Sequence, residues 1–179
     1  VADEIVDGAA DEAHDNPSKL LGELEAETYR ALESGFSTNL VVHAFAHTAR
    51  EAGIKRDIIE PFFHSMRMDL TEREHDQMSF DTYVYGSAEV VGLMCLKVFM
   101  VGREYSKEER VTLIAGARAL GAAFQKVNFL RDLSADFKKL GRSYFPNVNV
   151  ENFDAATQMR LIDDIEADLE VSAKTLPLL

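Results

Sequence analysis

At 179 residues, 46% hydrophobic and 28% charged, the chain is long enough to bury a core and polar enough to stay in water. Its 10 glycines and 4 prolines exclude a low-complexity or collagen-like polymer. A formal net charge of -12 repels phosphate polymers, so the default expectation is no nucleic-acid partner. The single cysteine, Cys95, cannot close an internal disulfide and sits in an apolar run, where it reads as a small packed hydrophobe in a reducing cytoplasm.

The longest apolar stretch, residues 90 to 101, is interrupted by Lys97 and is shorter than the roughly 20 residues of a membrane span. The opening Val-Ala-Asp-Glu lacks the basic and apolar regions of a signal peptide. The expected location is cytoplasmic, with contact at a membrane surface left open.

Taken in chain order, the apolar spacing is helical throughout, and no segment keeps the two-residue alternation of a half-exposed strand. The expected fold class is all-α, a single helical domain over residues 1 to 179. Asn16-Pro17-Ser18 starts a helix, with Ser18 or Asn16 as cap, that runs through Leu20, Leu21, Leu24 and Tyr29 to Ser34-Gly35. A second helix is expected over 38 to 52, stopped by Gly53. Asp57 begins a third that carries Phe62, Phe63, Met66 and Met68, with Pro61 in its first turn or at a kink. The polar run 73 to 79 reads as a loop, followed by a continuous helix from Phe80 or Asp81 to Val101. Ser106, followed by Lys107-Glu108-Glu109, has the form of a capping box opening one long helix that reaches Leu140 and ends at Gly141. A last helix is expected over 154 to 173.

The long helix carries the most informative pattern. At about 100° per residue, Gln125, Asn128, Asp132 and Asp136 fall within an arc of roughly 80°, bordered by Phe129, Leu133 and Phe137, with Arg131 and Lys138 around the far side. Carboxylates at i and i+4 repel by a few tenths of a kcal/mol, so their alignment needs a compensating ligand. A hard divalent cation supplies it: magnesium takes oxygen donors, keeps several waters and bridges one or two carboxylates to phosphate oxygens. A second acidic pair, Asp3 and Asp7, shares a helix face at the start of the chain. With 31 acidic residues such pairs arise by chance, and alone this one reads as a solvated face. His43 and His47 have the spacing of a helical zinc pair, but no glutamate follows the first and no third ligand is evident, so they read as ordinary core or surface histidines.

Three ordered segments give these pairs a context. They are Asp3-Glu4-Ile5-Val6-Asp7; Tyr83-Val84-Tyr85-Gly86-Ser87-Ala88-Glu89-Val90-Val91-Gly92-Leu93-Met94; and Ala119-Leu120-Gly121 with Gln125, Asn128, Phe129-Leu130-Arg131-Asp132 and Asp136, running on to Gly141-Arg142-Ser143-Tyr144-Phe145-Pro146. They resemble the first aspartate-rich motif, the tyrosine-led signature and the second aspartate-rich motif of the phytoene/squalene synthase family, with the likeness leaning to bacterial phytoene synthases. Met66-Arg67-Met68-Asp69-Leu70 is similar to a segment the family places ahead of the tyrosine signature.

The resemblance implies an isoprenoid-synthase-like helical bundle around a central cavity, truncated here at both ends as the core of a longer synthase. It implies Asp3, Asp7, Asp132 and Asp136 as catalytic, metal-binding carboxylates with Asn128 among the metal ligands, and Gln125 and Arg131 beside the diphosphate. Tyr83 would be catalytic at the cavity wall, and Ala88, Gly92 and Phe129 would contact substrate, the small residues leaving room for a prenyl chain. The implied cofactor is magnesium, with manganese as its substitute; NADPH is not expected. The implied reaction joins two isoprenoid diphosphates head to head, geranylgeranyl diphosphate giving phytoene through a cyclopropyl diphosphate. Phe124, Phe129, Tyr83 and Tyr85 are candidates to stabilise a carbocation. Ser87 and Glu89 stand where the family usually has valine and glycine, and Ala135 where a further carboxylate is common. Squalene or dehydrosqualene formation, head-to-tail transfer or cyclisation, and a non-enzymatic acidic module that binds a partner helix remain as alternatives; the usual first motif of head-to-tail and cyclising enzymes has adjacent aspartates, whereas here the second residue is Glu4.

Overall fold

Side chains that satisfy the free amides of a helix start decide where most of these helices begin. A computed structural model describes residues 1–7 and 16–179. After the one-turn helix α1 (Ala2–Val6), the Asn16 side-chain Oδ1 accepts from the Lys19 amide at 3.2 Å and opens α2 (Pro17–Ser34). Asn39 accepts from the amides of Val41 and Val42, which moves the start of α3 (Leu40–Ala52) two residues later than Thr38. Gly35 and Gly53 end these two helices at φ 80° and 67°, a conformation that costs other residues a Cβ clash.

Helix α4 (Arg56–Thr71) carries Pro61 inside it rather than in its first turn. The polar run that follows is only partly a loop. Asp76 accepts from the Ser79 amide at 2.8 Å, so α5 (Gln77–Val84) takes up the last three residues of that run. The helix expected to run unbroken to Val101 is divided. Residues Tyr85–Glu89 form a π turn, and α6 (Val90–Phe99) stops ahead of Gly102 at φ 74°. The widened turn has a tertiary cause: a Cβ on Gly86 would overlap the Pro61 carbonyl and the Ser65 hydroxyl, and Ser65 Oγ donates to the Tyr83 carbonyl at 3.1 Å. Ser106 and Glu109 close a reciprocal capping box at 3.1 and 2.8 Å that opens α7 (Lys107–Leu140), ended by Gly141 at φ 63°. Asp154 caps α8 (Ala155–Ala173).

The described residues contain no strand, only an isolated bridge between Glu74 and Ser143, so the expected all-α class holds. Helix α7 is the spine, packed along α8, α6 and the π turn. One apolar cluster joins Phe80, Tyr83, Phe129, Leu133, Tyr144 and Leu161. A second seats α1, through Ala2 and Val6, on Leu21, Ile59 and Phe63. No helix among the described residues is long and apolar enough to cross a membrane.

Small residues also serve packing: a Cβ on Gly92 would overlap the Ala117 carbonyl of α7, just as one on Gly121 would overlap the carbonyl of Ala88. Cys95 is exposed rather than packed. Gly92→Ala should therefore destabilise by about 1–3 kcal/mol through overpacking. Gly22→Ala, in the exposed interior of α2 with nothing near its added methyl, should stabilise by about 0.4–1 kcal/mol. Denaturant unfolding of the two variants checks the contrast.

Candidate functional site

The stripe on α7 and the single turn of α1 meet. A cleft of about 190 Å³ is lined by Asp3 and Asp7 from one side and by Gln125, Asn128, Asp132 and Asp136 from the other. Tyr83 and Phe129 form part of its wall, and Arg131 and Arg142 reach it as well. The acids feel one another. Burial and then Asp7 and Glu4 push the Asp3 carboxyl above the usual carboxylate range. Burial and then Asp132 do the same to Asp136. Asp132 is held low by the hydrogen bonds it accepts from Arg131, at 2.9 and 2.5 Å. Arg131 thus departs from the expected far-side position: its long side chain folds back over its neighbour at the cleft.

Beneath the acids lies a buried polar layer that sequence reasoning largely missed. Asp69, 4% exposed, accepts from Tyr83 Oη at 2.7 Å and Tyr144 Oη at 3.0 Å. Arg142, 5% exposed, donates through Nη1 to Asp7 Oδ1 at 2.9 Å and to Tyr144 Oη at 3.3 Å. Through Nη2 it donates to the carbonyls of Val6 and Asp69, both at 3.0 Å. Burial raises the Asp69 carboxyl to about 6, against the opposing pull of the Tyr83 hydrogen bond, the Arg142 charge and the Tyr144 hydrogen bond. Burial and then the Asp69 charge push the Tyr83 phenol far above its ordinary value. Burial works against the Arg142 charge, yet Tyr144, Asp7 and Asp69 hold it above the usual arginine range. The available signal was the lone acid Asp69 beside Met66 and Met68 on an otherwise apolar helix face, since an acid among core residues needs partners. Arg142 and Tyr144 read equally well as a simple helix closure.

Aromatic groups divide between two places. Phe129 stacks on Tyr144 with centroids 4.1 Å apart, and Tyr83 lies 5.8 Å from Phe129. Tyr85, in contrast, sits under the Arg118 guanidinium at 5.3 Å and lines neither this cleft nor the cavity beside it. That neighbouring cavity, about 390 Å³, is walled by Ala88, Gly92, Leu113, Leu120 and Phe124, and Gln125 borders both spaces. Glu89 turns away from it to pair with Arg118 at 2.6 Å. Ser87 lines it, with a buried hydroxyl that has no partner among the described residues. His43 accepts from the Ser37 amide at 3.4 Å and packs against Phe36. Among the described residues no three His, Cys, Asp or Glu side chains converge to hold a metal ion by themselves.

Comparison with known proteins shows the family. The family profile described as squalene/phytoene synthase matches residues 1–173. A bifunctional lycopene cyclase/phytoene synthase of Phaeosphaeria nodorum is 32% identical over 164 residues, 82% of this chain and 27% of that protein. The chloroplastic phytoene synthase of Daucus carota is 33% identical over 147 residues, 80% of this chain and 35% of that protein. Phytoene synthase 3 of Zea mays is 39% identical over 99 residues, 54% of this chain and 21% of that protein. The chain thus spans a minor part of the length of these relatives, and it belongs to the squalene/phytoene synthase family.

The raised Asp69 carboxyl has a measurable consequence. An unfolded aspartate releases its proton near 3.9, and the folded one near about 6. Folding therefore favours the protonated form, and the stability this group contributes is present below about pH 4 and lost as the pH rises through about 6, a change on the order of 3 kcal/mol. Asp69→Asn should remove that slope. Denaturant unfolding of both proteins at about pH 4 and about pH 7 tests it, and an equal difference at the two values would refute the assignment.

Proposed function

We propose that this protein joins two isoprenoid diphosphates head to head, with geranylgeranyl diphosphate giving phytoene through a cyclopropyl diphosphate. The observation that carries the reading is that two unlike spaces share Gln125 in their linings. One is lined by acids and amides, the other by apolar side chains, and a prenyl diphosphate is a molecule with those two ends. The apolar cavity falls within the range of about 300–1,000 Å³ usual for small-molecule sites. The names of these relatives, all phytoene synthases in whole or part, support phytoene over squalene as product.

The donors present fit a divalent cation, magnesium or manganese. Asp3, Asp7, Asp132 and Asp136 bring four carboxylates to a cleft lined, among the described residues, by two guanidiniums, so further positive charge would favour a diphosphate there. Among the described residues no three acids converge to hold an ion by themselves; magnesium typically takes one or two carboxylates and completes its octahedron with water and phosphate oxygens. When bound, the ion neutralises the departing diphosphate and so favours ionisation to an allylic cation.

The remaining work falls to the chain. Asp3, Asp7, Asn128, Asp132 and Asp136 would hold the cation, while Arg131 and Gln125 face the diphosphate. Tyr83 and Phe129 line the cleft, and an aromatic face presented to a cation there would stabilise it by about 0.5–2 kcal/mol without reacting. With its phenol pushed far up and hydrogen-bonded to Asp69, Tyr83 stays neutral and does not trap the cation. Ala88, Gly92 and Phe124 would line an apolar wall along the prenyl chain; water is the competing nucleophile that such a wall disfavours.

Labelled geranylgeranyl diphosphate with magnesium should yield phytoene. Longer linear diphosphates or cyclised hydrocarbons would overturn the head-to-head assignment. Asp132→Asn should lower turnover at saturating magnesium by about a hundredfold or more; unchanged turnover would remove α7 from the metal site.

A further inference from the structure

Helix α1 spans one turn, and a helix that short has no stability of its own in water. Its two aspartates are therefore aimed by whatever α1 rests on. Ala2 and Val6 anchor one side in the apolar cluster with Leu21, Ile59 and Phe63. That contact fixes the depth of the turn and leaves its carboxylates free to swing. The polar side is held by Arg142, which accepts no bond and donates four: to the Asp7 carboxylate, the Val6 carbonyl that ends the turn, the Asp69 carbonyl and the Tyr144 hydroxyl.

We propose that Arg142 is a positioning residue that sets Asp7 opposite Asp132 and Asp136 and thereby sets the affinity of the cleft for a divalent cation; the inference rests on the reading of this cleft as a cation and diphosphate site. Arg142 stands one residue past Gly141, the left-handed stop of α7. The same helix end that carries Asp136 therefore carries the group that grips Asp7, 135 residues away in sequence. The guanidinium registers the two acidic elements against each other. Because Asp7 Oδ1 is engaged by Arg142, its other oxygen is left to face a cation. Only a planar fork serves these partners together, since a lysine offers a single nitrogen where arginine here uses two. Behind the fork, Tyr144 is fixed in turn by Asp69 at 3.0 Å and by its stack on Phe129, so the strut has little freedom to rotate.

The test follows bound manganese by electron paramagnetic resonance with inorganic pyrophosphate present, alongside thermal melting, in Arg142→Lys, Asp7→Asn, the double variant and Tyr144→Phe. Arg142→Lys should weaken manganese binding by about tenfold to a hundredfold, as loss of a group that orients a metal ligand does. In the Asp7→Asn background that further loss should largely vanish, because the ligand being positioned is gone. Tyr144→Phe keeps the ring and drops the hydroxyl, and should weaken binding by about threefold. Unchanged manganese binding in Arg142→Lys, or an equal loss with and without Asp7, overturns the positioning role. If Arg142→Lys does not fold, Tyr144→Phe decides, and unchanged binding there overturns it. Asp132→Asn separates the two readings: if it too leaves manganese binding unchanged, the cation site itself is wrong; if it weakens binding while Arg142→Lys leaves it unchanged, only the role of Arg142 falls.

Discussion

Like charges drawn into one cleft are the constraint around which the rest of this molecule is arranged. Asp3, Asp7, Asp132 and Asp136 line a space of about 190 Å³, and the upward shifts of Asp3 and Asp136 record what their proximity and burial cost. Helix propensity cannot hold such a set together, because each acidic i,i+4 pair works against its own helix. The opposition is met from below by a buried cation. Arg142 sits under the cleft with two carbonyls, a carboxylate and a phenol around it. A buried guanidinium left unpaired would be strongly destabilising. Here Asp7 supplies one of its partners, and the Val6 and Asp69 carbonyls and the Tyr144 hydroxyl supply the rest.

The same economy of contact governs the apolar side. Helix α6 and the π turn lie so close to α7 that Gly92 and Gly121 have no room for a Cβ. Close backbone approach at those two points fixes the wall of the larger cavity, and Ala88 and Gly92 belong to both the contact and the cavity. Enlarging a residue there would strain the packing before it shortened the space. The π turn contributes differently. By widening at Gly86 to fit Pro61 and Ser65, it rotates the residues after it relative to a plain helix, so Tyr83 faces the acidic cleft while Ser87 and Val91 face the apolar cavity. Insertions of this kind recur at functional sites because they re-aim side chains without ending the helix.

What was legible in the sequence follows from how local each feature is. The Asn16 cap, the Ser106–Glu109 box and the stops at Gly35, Gly53 and Gly141 depend on neighbours within one turn, and they read correctly. The stripe of Gln125, Asn128, Asp132 and Asp136 needs only helical periodicity, and these residues do share one cleft wall. The meeting of that stripe with Asp3 and Asp7 is not local, and it entered through the family likeness rather than through any spacing. The division of the expected helix at Tyr85 depends on Pro61, and the asparagine that shifts the start of α3 competes with an adjacent threonine that periodicity cannot demote. Arg131 was misplaced because a long side chain is not confined to the direction of its Cα. Asp69 and Arg142 were given no role because their contacts span 73 and 135 residues.

A buried aspartate such as Asp69 is a poor choice for stability alone. Its carboxyl is raised to about 6 by burial, so its ionised form at neutral pH is held at a cost that an apolar side chain of similar size would not incur. Its two hydroxyl donors face different structures, Tyr83 in the cleft wall and Tyr144 against the Arg142 strut. Replacing Asp69 with a hydrophobe would release both phenols and one side of the guanidinium together. The carboxylate thus ties a ring of the cleft wall to the tyrosine beside the guanidinium that bonds Asp7, linking the wall and the acidic turn through one network. On the proposed chemistry that linkage has a use: a carbocation offers few polar handles, and its fate is set by the surfaces that confine it.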